Sequence, residues 1–190
     1  MIINIRGTSG SGKTHLVRQI MDLYHSRVAY RQEGRKQPIG YVYEREGGGR
    51  PLAVVGHYET ACGGCDTIAK MEDIFELVRQ SAAQGFDVIF EGLLISADVN
   101  RHVDLEEWCR ANGHELMVVA LTTPIDQCLD SVNARRRAKN PDKPPVKEKN
   151  TISKFNGVRK SLERLRQAGV RVEEGTREEV LTLVKRELAL

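Results

Sequence analysis

Short apolar runs alternate with segments of helical spacing along the whole chain. The runs predict β-strands at residues 2–6, 28–31, 39–44, 51–56, 87–92, 115–121 and 170–172. Apolar residues three and four positions apart predict helices at about 13–25, 66–84, 104–111, 152–167 and 177–188, and a further helix that begins at Pro124. Strands that alternate with helices in this way indicate an α/β protein with a mainly parallel sheet.

Two segments depart from the alternation. The strands at 39–44 and 51–56 flank Gly47-Gly48-Gly49, which predicts a β-hairpin. Residues 135–150 begin with three arginines and contain three prolines but few apolar residues, so we expect a mobile, arginine-rich lid. A chain of 190 residues fits one domain, 1–190, that carries this lid.

The first predicted strand leads directly into G-x-x-x-x-G-K-T at residues 7–14, and a helix follows. Glycines let such a loop wrap closely around a polyphosphate, whose oxygens face successive backbone N–H groups and the helix N-terminus. Lys13 would reach the β- and γ-phosphates, and the Thr14 hydroxyl would hold Mg²⁺. The alternative is a glycine-rich turn with a chance lysine, but the flanking strand and helix argue against it. We expect ATP to bind Gly7, Ser9, Gly10, Ser11, Gly12, Lys13, Thr14 and His15.

This loop makes the predicted fold a P-loop three-layer α/β/α sandwich. Its mainly parallel sheet has five strands, and the β-hairpin and the arginine-rich lid are additions to it. Ligands of such sheets bind at the carboxyl ends of the strands.

Two acidic residues are candidates for the catalytic base. Glu91 ends a buried strand, where a carboxylate lies near Mg²⁺ and orients a bound water or accepts the proton of an attacking hydroxyl. Asp66 closes the small-residue loop 57–66 and could serve the same acceptor hydroxyl. Glu91 could instead cap the next turn, and Asp66 could simply be a helix N-cap.

The arginines of the predicted lid are candidates for transition-state stabilisation. Phosphoryl transfer builds charge on the phosphoryl oxygens, and a planar guanidinium from a closing lid stabilises that charge. Arg135 and Arg136 are the first two of a run that also includes Arg137. Solvated side chains without a catalytic role are the alternative.

Charge is distributed unevenly along the chain. Residues 135–171 contain 13 Lys or Arg and 3 Asp or Glu, whereas the remainder contains 16 and 23. Such a positive segment suits a polyanion, which could be ATP alone or a nucleic acid. Tyr41, Tyr43 and Tyr58 could stack a base, although packing inside the protein is the alternative.

The four cysteines indicate neither a zinc site nor a disulfide framework. Cys62-Gly-Gly-Cys65 has no second ligand pair in the sequence, so we interpret it as a compact loop that shapes the acceptor pocket. Cys109 and Cys128 fall in helical patterns, where a thiol packs as a small hydrophobe. Sparse cysteines and the use of ATP predict the cytoplasm, which would be that of the host if a phage encodes the chain. No apolar run approaches the ~20 residues that span a bilayer, so we expect no membrane partner.

The loop at 7–14, the strand that ends at Glu91 and the arginines at 135–137 together resemble those of small P-loop kinases that act on nucleosides and nucleotides. That resemblance implies that Glu174-Gly175-Thr176 borders the adenine, with Thr176 as a binding residue. After Glu91, however, comes Gly92-Leu93-Leu94, and not the Asp-Arg-Tyr or Glu-Arg-Ser motif of the thymidylate and deoxynucleoside kinases.

Residues 55–66, VGHYETACGGCD, are similar to a block in bacteriophage P-loop kinases that phosphorylate 5-hydroxymethyluridine within DNA. This resemblance implies an ATP- and Mg²⁺-dependent kinase whose partner is DNA that contains a modified pyrimidine. Two alternatives stay open: a kinase for a free nucleoside or nucleotide, and an NTP-dependent switch that binds a partner. The sequence has no Asn-Lys-x-Asp guanine motif, which argues against a GTPase switch. Nothing in it indicates an oligomeric state.

Overall fold

The computed structural model describes residues 1–45 and 47–190. Within these residues, seven strands form one sheet in the order β2-β3-β4-β5-β1-β6-β7. The strands are β1 (Ile2–Arg6), β2 (Val28–Tyr30), β3 (Gly40–Tyr43), β4 (Leu52–Val55), β5 (Asp87–Glu91), β6 (Leu116–Leu121) and β7 (Arg171–Gly175).

Five of these strands, β4, β5, β1, β6 and β7, are parallel to one another. β3 pairs antiparallel with β4, and β2 pairs antiparallel with β3 at the edge of the sheet. The predicted five-stranded parallel sheet with an added hairpin is confirmed. The central strand β1 lies between β5 and β6, with Ile5 opposite Glu91 and Arg6 opposite Ala120. The carboxyl ends of these three strands therefore meet at one edge.

Helices cover both faces of the sheet. Their bounds are α1 (Lys13–Met21), α2 (Met71–Ala83), α3 (Asn100–Ala111), α4 (Ile125–Lys139), α5 (Glu148–Gln167) and α6 (Arg177–Glu187). Apolar residues of α1 and α6 pack on one face, and those of α2, α3 and α5 pack on the other. This gives the three-layer α/β/α arrangement. No helix in the described part of the chain is long and apolar enough to cross a membrane.

Two helix boundaries differ from the prediction. α2 begins at Met71, and Cys65–Thr67 form a separate 3₁₀ turn, because the Asp66 carboxylate bonds to the loop after β5. α4 continues through all three arginines to Lys139, and only residues 140–147 lie between it and α5. Arginine and lysine are good helix formers, so the helix ends only near the first proline of the segment. The three arginines therefore belong to the end of α4, and the lid at about 135–150 stays a prediction.

One buried histidine should make stability depend on pH. The His102 side chain is fully buried and packs against the rings of Phe75 and Phe90. Burial, assisted by the Arg6 guanidinium, lowers the pKa of His102 to about 3, although Asp98 opposes the shift. Because the unfolded chain takes up a proton near pH 6.5 that the folded chain refuses, stability falls as pH drops below that value.

We expect the free energy of unfolding to fall by about 1.5 kcal/mol between pH 6.5 and pH 5 on account of His102. The variant His102→Phe keeps an aromatic ring packed against the two phenylalanines and removes the titrating group. Urea unfolding of both proteins at several pH values measures the difference. An equal pH dependence in the two proteins would contradict this assignment.

Candidate active site

The loop between β1 and α1 packs directly against α4. Gly10 and Gly12 have φ values of 86° and 94°, in the left-handed region that favours glycine. A Cβ on Gly10 would lie 2.2 Å from the Cys128 carbonyl oxygen, so only glycine fits there. At the start of the loop, the Gly7 N–H donates to Ser96 Oγ at 3.3 Å. The loop is thus held at its start by a neighbouring turn and at its middle by α4.

Lys13 is folded back over this loop. Its Nζ donates to the carbonyl oxygens of Gly7 at 2.8 Å and Thr8 at 3.2 Å, and the side chain is 7% exposed. Burial lowers the pKa of Lys13, while the nearby Glu91 carboxylate opposes that shift. A buried ammonium whose partners are only carbonyl oxygens and a nearby carboxylate is well placed to receive a phosphate oxygen.

Glu91 and Thr14 meet at the floor of the site. The Thr14 hydroxyl donates to Glu91 Oε1 at 2.8 Å, and Glu91 is 1% exposed. Burial raises the pKa of the Glu91 carboxyl, and Lys13 and the Thr14 hydroxyl act in the opposite direction. A hydroxyl and a carboxylate are the hard oxygen ligands that Mg²⁺ prefers, so the two residues fit the metal role predicted for them.

The loop at residues 57–64, here called the acceptor loop, lies on top of these two residues. Backbone hydrogen bonds between His57 and Gly64 close the loop, and the Arg18 guanidinium donates to the carbonyl oxygens of Tyr58 (3.0 Å) and Thr60. A Cβ on Gly63 would lie 2.9 Å from the Thr14 methyl group. Glycine at this position therefore allows the loop to contact α1 directly.

Gly64 makes the tightest approach of the acceptor loop to Glu91. Its φ is 94°, and a Cβ there would lie 2.7 Å from both the carbonyl oxygen and Oε1 of Glu91. We expect Gly64→Ala to cost about 2 kcal/mol or more of stability and to lower kcat, because Glu91 must move away from Thr14. Gly34→Ala is the matched control, since Gly34 also has a positive φ of 76° but no atom within 4 Å of the added Cβ.

For Gly34→Ala we expect the free energy of unfolding to fall by only about 1 kcal/mol, because alanine is strained in the left-handed backbone conformation. Its kcat should be unchanged. Thermal unfolding and steady-state kinetics of both variants provide the comparison. Equal effects on kcat would contradict the role assigned to the Gly64–Glu91 contact.

Asp66 organises the turn that follows β5. Its two carboxylate oxygens accept hydrogen bonds from the Leu93 N–H at 2.8 and 3.0 Å, and Oδ1 lies 3.4 Å from the Leu94 N–H. The side chain is exposed in the site, so its oxygens keep free lone pairs. The alternative that Asp66 is the N-cap of α2 is wrong, because Lys70 occupies that position.

Residues that were predicted separately line one cleft of about 360 Å³. They come from the P-loop, from the two acidic segments and from α4, and they are Ser9, Gly10, Gly12, Lys13, Thr14, His15, Asp66, Glu91 and Arg135. Gly7 and Ser11 line a second cavity of about 260 Å³ instead, together with Phe155, Arg159 and Glu174. The structure thus brings the candidate acids, the lysine and one arginine to a single opening.

The structure separates the roles of the arginines in α4. Arg135 lines the cleft, whereas the Arg136 guanidinium donates to the Pro144 carbonyl oxygen at 3.0 and 3.2 Å. The Val146 N–H donates to Asn133 Oδ1 at 2.9 Å. These contacts fold residues 140–147 back onto α4. Arg136 therefore holds this segment, whereas Arg135 faces the cleft.

Thr176 and the three tyrosines, which were predicted to contact adenine or a base, make contacts within the protein. The Thr176 hydroxyl accepts from the Glu179 N–H, and the Glu179 carboxylate accepts from the Thr176 N–H, which forms a capping box at α6. The adenine contact of Thr176 stays a prediction. Base stacking by the tyrosines is wrong, because they pack in the core with exposures of 1% for Tyr41, 3% for Tyr43 and 7% for Tyr58.

The cysteines are distributed as the sequence indicated. Cys65, Cys109 and Cys128 are buried, and Cys65 Sγ donates to the Val55 carbonyl oxygen at 3.3 Å. Cys62 is exposed and lines the cleft. The Cys62-Gly-Gly-Cys65 segment thus forms part of the cleft wall.

Known proteins with similar sequences agree on a family. The model of the Zeta toxin family matches residues 65–185. The chain is also 50% identical over 184 residues to the 5-hmdU DNA kinase of Pseudomonas phage PaMx11, and the alignment covers 97% of this chain and 95% of that protein. The chain belongs to the zeta toxin family of P-loop kinases. It is therefore an ATP-dependent phosphotransferase.

A more distant relative and a solved structure are also similar to this zeta toxin family kinase. It is 29% identical to the 5-hmdU DNA kinase of Pseudomonas phage M6, with 82% of this chain and 80% of that protein aligned. A solved structure from the PezAT toxin–antitoxin system of Streptococcus pneumoniae superposes with a TM-score of 0.52 at 15% identity. That alignment covers 94% of this chain and 69% of the other, and it shows a shared fold.

Sequence reasoning missed two residues that line the cleft of this zeta toxin family kinase, Arg18 and Ser131. Arg18 lies one helical turn after Thr14 on α1, a spacing that places both on one face and could have revealed it. Ser131 lines the cleft one turn before Arg135 on α4. Thr8, within the predicted P-loop, lines the second cavity, and its buried hydroxyl has no hydrogen-bond partner among the described residues.

Proposed function

We propose that this kinase transfers the γ-phosphate of ATP to the hydroxymethyl group of 5-hydroxymethyluridine in DNA. The observation that supports it most is the single cleft in which Lys13, Thr14, Glu91, Asp66 and Arg135 converge. The identity of the acceptor is inferred from relatives that are named 5-hmdU DNA kinase. One of these relatives aligns with nearly the whole chain.

The residues of the cleft have separate roles in the proposed reaction. The backbone of the P-loop and Lys13 hold the triphosphate. Thr14 and Glu91 are the residues that would hold Mg²⁺, which neutralises phosphate charge when it is bound. Arg135 would stabilise the charge that develops on the transferred phosphoryl group.

A carboxylate must accept the proton of the attacking hydroxyl. The hydroxymethyl oxygen forms a bond to the γ-phosphorus, the bond from that phosphorus to the bridging oxygen of ADP breaks, and the hydroxyl proton passes to Glu91 or Asp66. Glu91 is buried beside Thr14, and it can act as the base where it holds Mg²⁺ through a water and keeps one oxygen free. Asp66 is exposed to an incoming acceptor but already accepts the Leu93 N–H. Both acids therefore stay candidates in this proposal.

The charge of α4, α5 and the segment between them supports a DNA acceptor. Most of the basic side chains there are exposed, among them Arg135, Arg137, Lys139, Lys143, Lys147, Lys149, Lys154 and Arg159. A surface of this kind neutralises several backbone phosphates, so binding should weaken steeply as salt concentration rises.

Transfer of labelled γ-phosphate to three acceptors tests the proposal. The acceptors are DNA that contains 5-hydroxymethyluridine, the free nucleoside and nucleotide, and matched DNA with thymine only. We expect label in the modified DNA alone. Label that enters only the free compounds would replace the proposal with a nucleoside or nucleotide kinase. Phosphate release without transfer to any acceptor would favour an NTP-dependent switch.

A further inference from the structure

Leu94 is a large apolar side chain that projects from the rim of the cleft. It is 67% exposed, more than any other large hydrophobic residue in the described part of the chain. It lies three residues after Glu91 on the turn that follows β5, and its neighbour Leu93 lines the cleft. An exposed leucine beside a cleft leaves apolar area in contact with water, and contact with a bound partner would remove that area from water.

The turn that carries Leu94 is held firmly. The Asp66 carboxylate accepts hydrogen bonds from the Leu93 and Leu94 N–H groups. On the other side of Leu94, the Ser96 N–H and hydroxyl both donate to the Gly92 carbonyl oxygen, at 3.0 and 2.7 Å. Ile95 and Ser96 are buried. The leucine is therefore presented by a fixed backbone.

Leu94 is an isolated exposed hydrophobic residue in this part of the sequence. The exposed residues near it in sequence or by contact are Asp66, Ala97 and Asn100, and no other large hydrophobic residue among the described residues of this turn is exposed, so the apolar surface that the turn presents is about one large side chain in size. A patch this small does not suit a protein interface, whose apolar core extends over several residues. It does match the space of one base step in a nucleic acid.

Access to the interior of the cleft adds a second constraint. Lys13 and Glu91, which would hold the triphosphate and Mg²⁺, are only 7% and 1% exposed, and the acceptor loop covers Glu91. A base that remains stacked in a duplex cannot bring its hydroxymethyl group to such a position, so the nucleotide must turn out of the stack. Proteins that open a duplex often fill the vacated space with an apolar side chain.

We infer that Leu94 enters the base stack of duplex DNA beside the target nucleotide and stabilises its extruded state. This inference rests on the proposed function, and it adds a specific contact with the partner. The positively charged surface of α4 and α5 binds the DNA backbone, and Leu94 inserts between the stacked bases. Leu94 is a positioning residue, since it touches the neighbouring bases and takes no part in phosphate transfer.

Comparison of duplex and single-stranded acceptors tests the inference. Both carry one 5-hydroxymethyluridine, and both are offered to the wild-type protein and to Leu94→Ala. We expect Leu94→Ala to lower kcat/KM at least about 10-fold on the duplex and less than about 2-fold on the single strand, which needs no unstacking. Leu94→Phe should retain duplex activity. Leu23→Ala, at another partly exposed leucine, is the matched control and should behave as wild type on both.

A fluorescent 2-aminopurine beside the target gives a readout that does not depend on phosphate transfer. Its emission should rise when the wild-type protein binds the duplex and should rise much less with Leu94→Ala. Equal losses on both DNAs, or full duplex activity and fluorescence in Leu94→Ala, would overturn the inference while leaving the proposed function intact. Wild-type activity on the single strand alone would also overturn it. A wild-type protein that phosphorylates neither DNA would instead refute the proposed function.

Discussion

Lys13→Ala is expected to lower the rate of phosphate transfer by about 1000-fold. Preorganised charge at a transferring phosphoryl group is commonly worth two to three orders of magnitude, and Lys13 is a buried ammonium directly over the P-loop. Its alternative partners are two carbonyl oxygens of the same loop, so the ammonium is free to turn to a phosphate without disturbing another element.

Single-turnover measurement of labelled phosphate transfer gives the rate for Lys13→Ala. Lys70→Ala, at an exposed position before α2, is the matched control and should retain wild-type activity. Circular dichroism and the thermal midpoint show whether the variant is folded. A folded Lys13→Ala protein with an undiminished rate would remove the basis for placing the triphosphate in this loop.

Arg135→Ala is expected to lower kcat by about 1000-fold, in the range found for arginines that stabilise a transferring phosphoryl group. Arg135 lines the same cleft as Lys13 and Glu91. Because its contribution is greatest in the transition state, the KM for ATP should change much less than kcat. Arg135→Lys should recover only part of the activity, since an ammonium lacks the planar pair of donors.

Arg136→Ala separates the cleft arginine from its neighbour. Arg136 donates to the Pro144 carbonyl oxygen, so its loss should loosen residues 140–147 and lower kcat only about 10-fold, through lid position. Faster proteolysis between α4 and α5 would report that loosening. If Arg136→Ala were as inactive as Arg135→Ala and no more susceptible to protease, the structural role assigned to Arg136 would be refuted, and Arg136 would act in the cleft as well.

The sequence predicted the parts of this molecule that depend on local pattern. The P-loop is a contiguous motif of backbone conformations, and its glycines, lysine and threonine are recognisable without knowledge of any distant residue. The apolar run that ends at Glu91 predicted a buried strand with an acid at its carboxyl end. Since parallel strands end at one edge of the sheet, that pattern was enough to bring Glu91 near the P-loop.

Helix boundaries near Asp66 and the arginines were less predictable. Asp66 reads locally as an N-cap, but its carboxylate bonds to the Leu93 N–H, 27 residues away. The run at Arg135–Arg137 reads as the start of a basic loop, but these residues continue α4. Local helix propensity cannot distinguish these outcomes. Asp66 depends on a contact with a residue far away in sequence, and the arginines depend on whether the preceding helix continues.

The tertiary structure alone decided which side chains share the cleft. Thr14 and Glu91 are 77 residues apart, and Arg18 and Tyr58 are 40 apart, yet each pair is joined by a hydrogen bond. Neighbouring arginines on a helix point in different directions, so only packing could assign Arg135 to the cleft and Arg136 to Pro144. Sequence alone was enough to predict the phosphate-binding loop and the α/β layering, because both follow from local backbone conformation and from the periodicity of apolar residues. The acceptor half of the site depends on how the acceptor loop, β5 and α4 pack together, and that exists only in the folded chain.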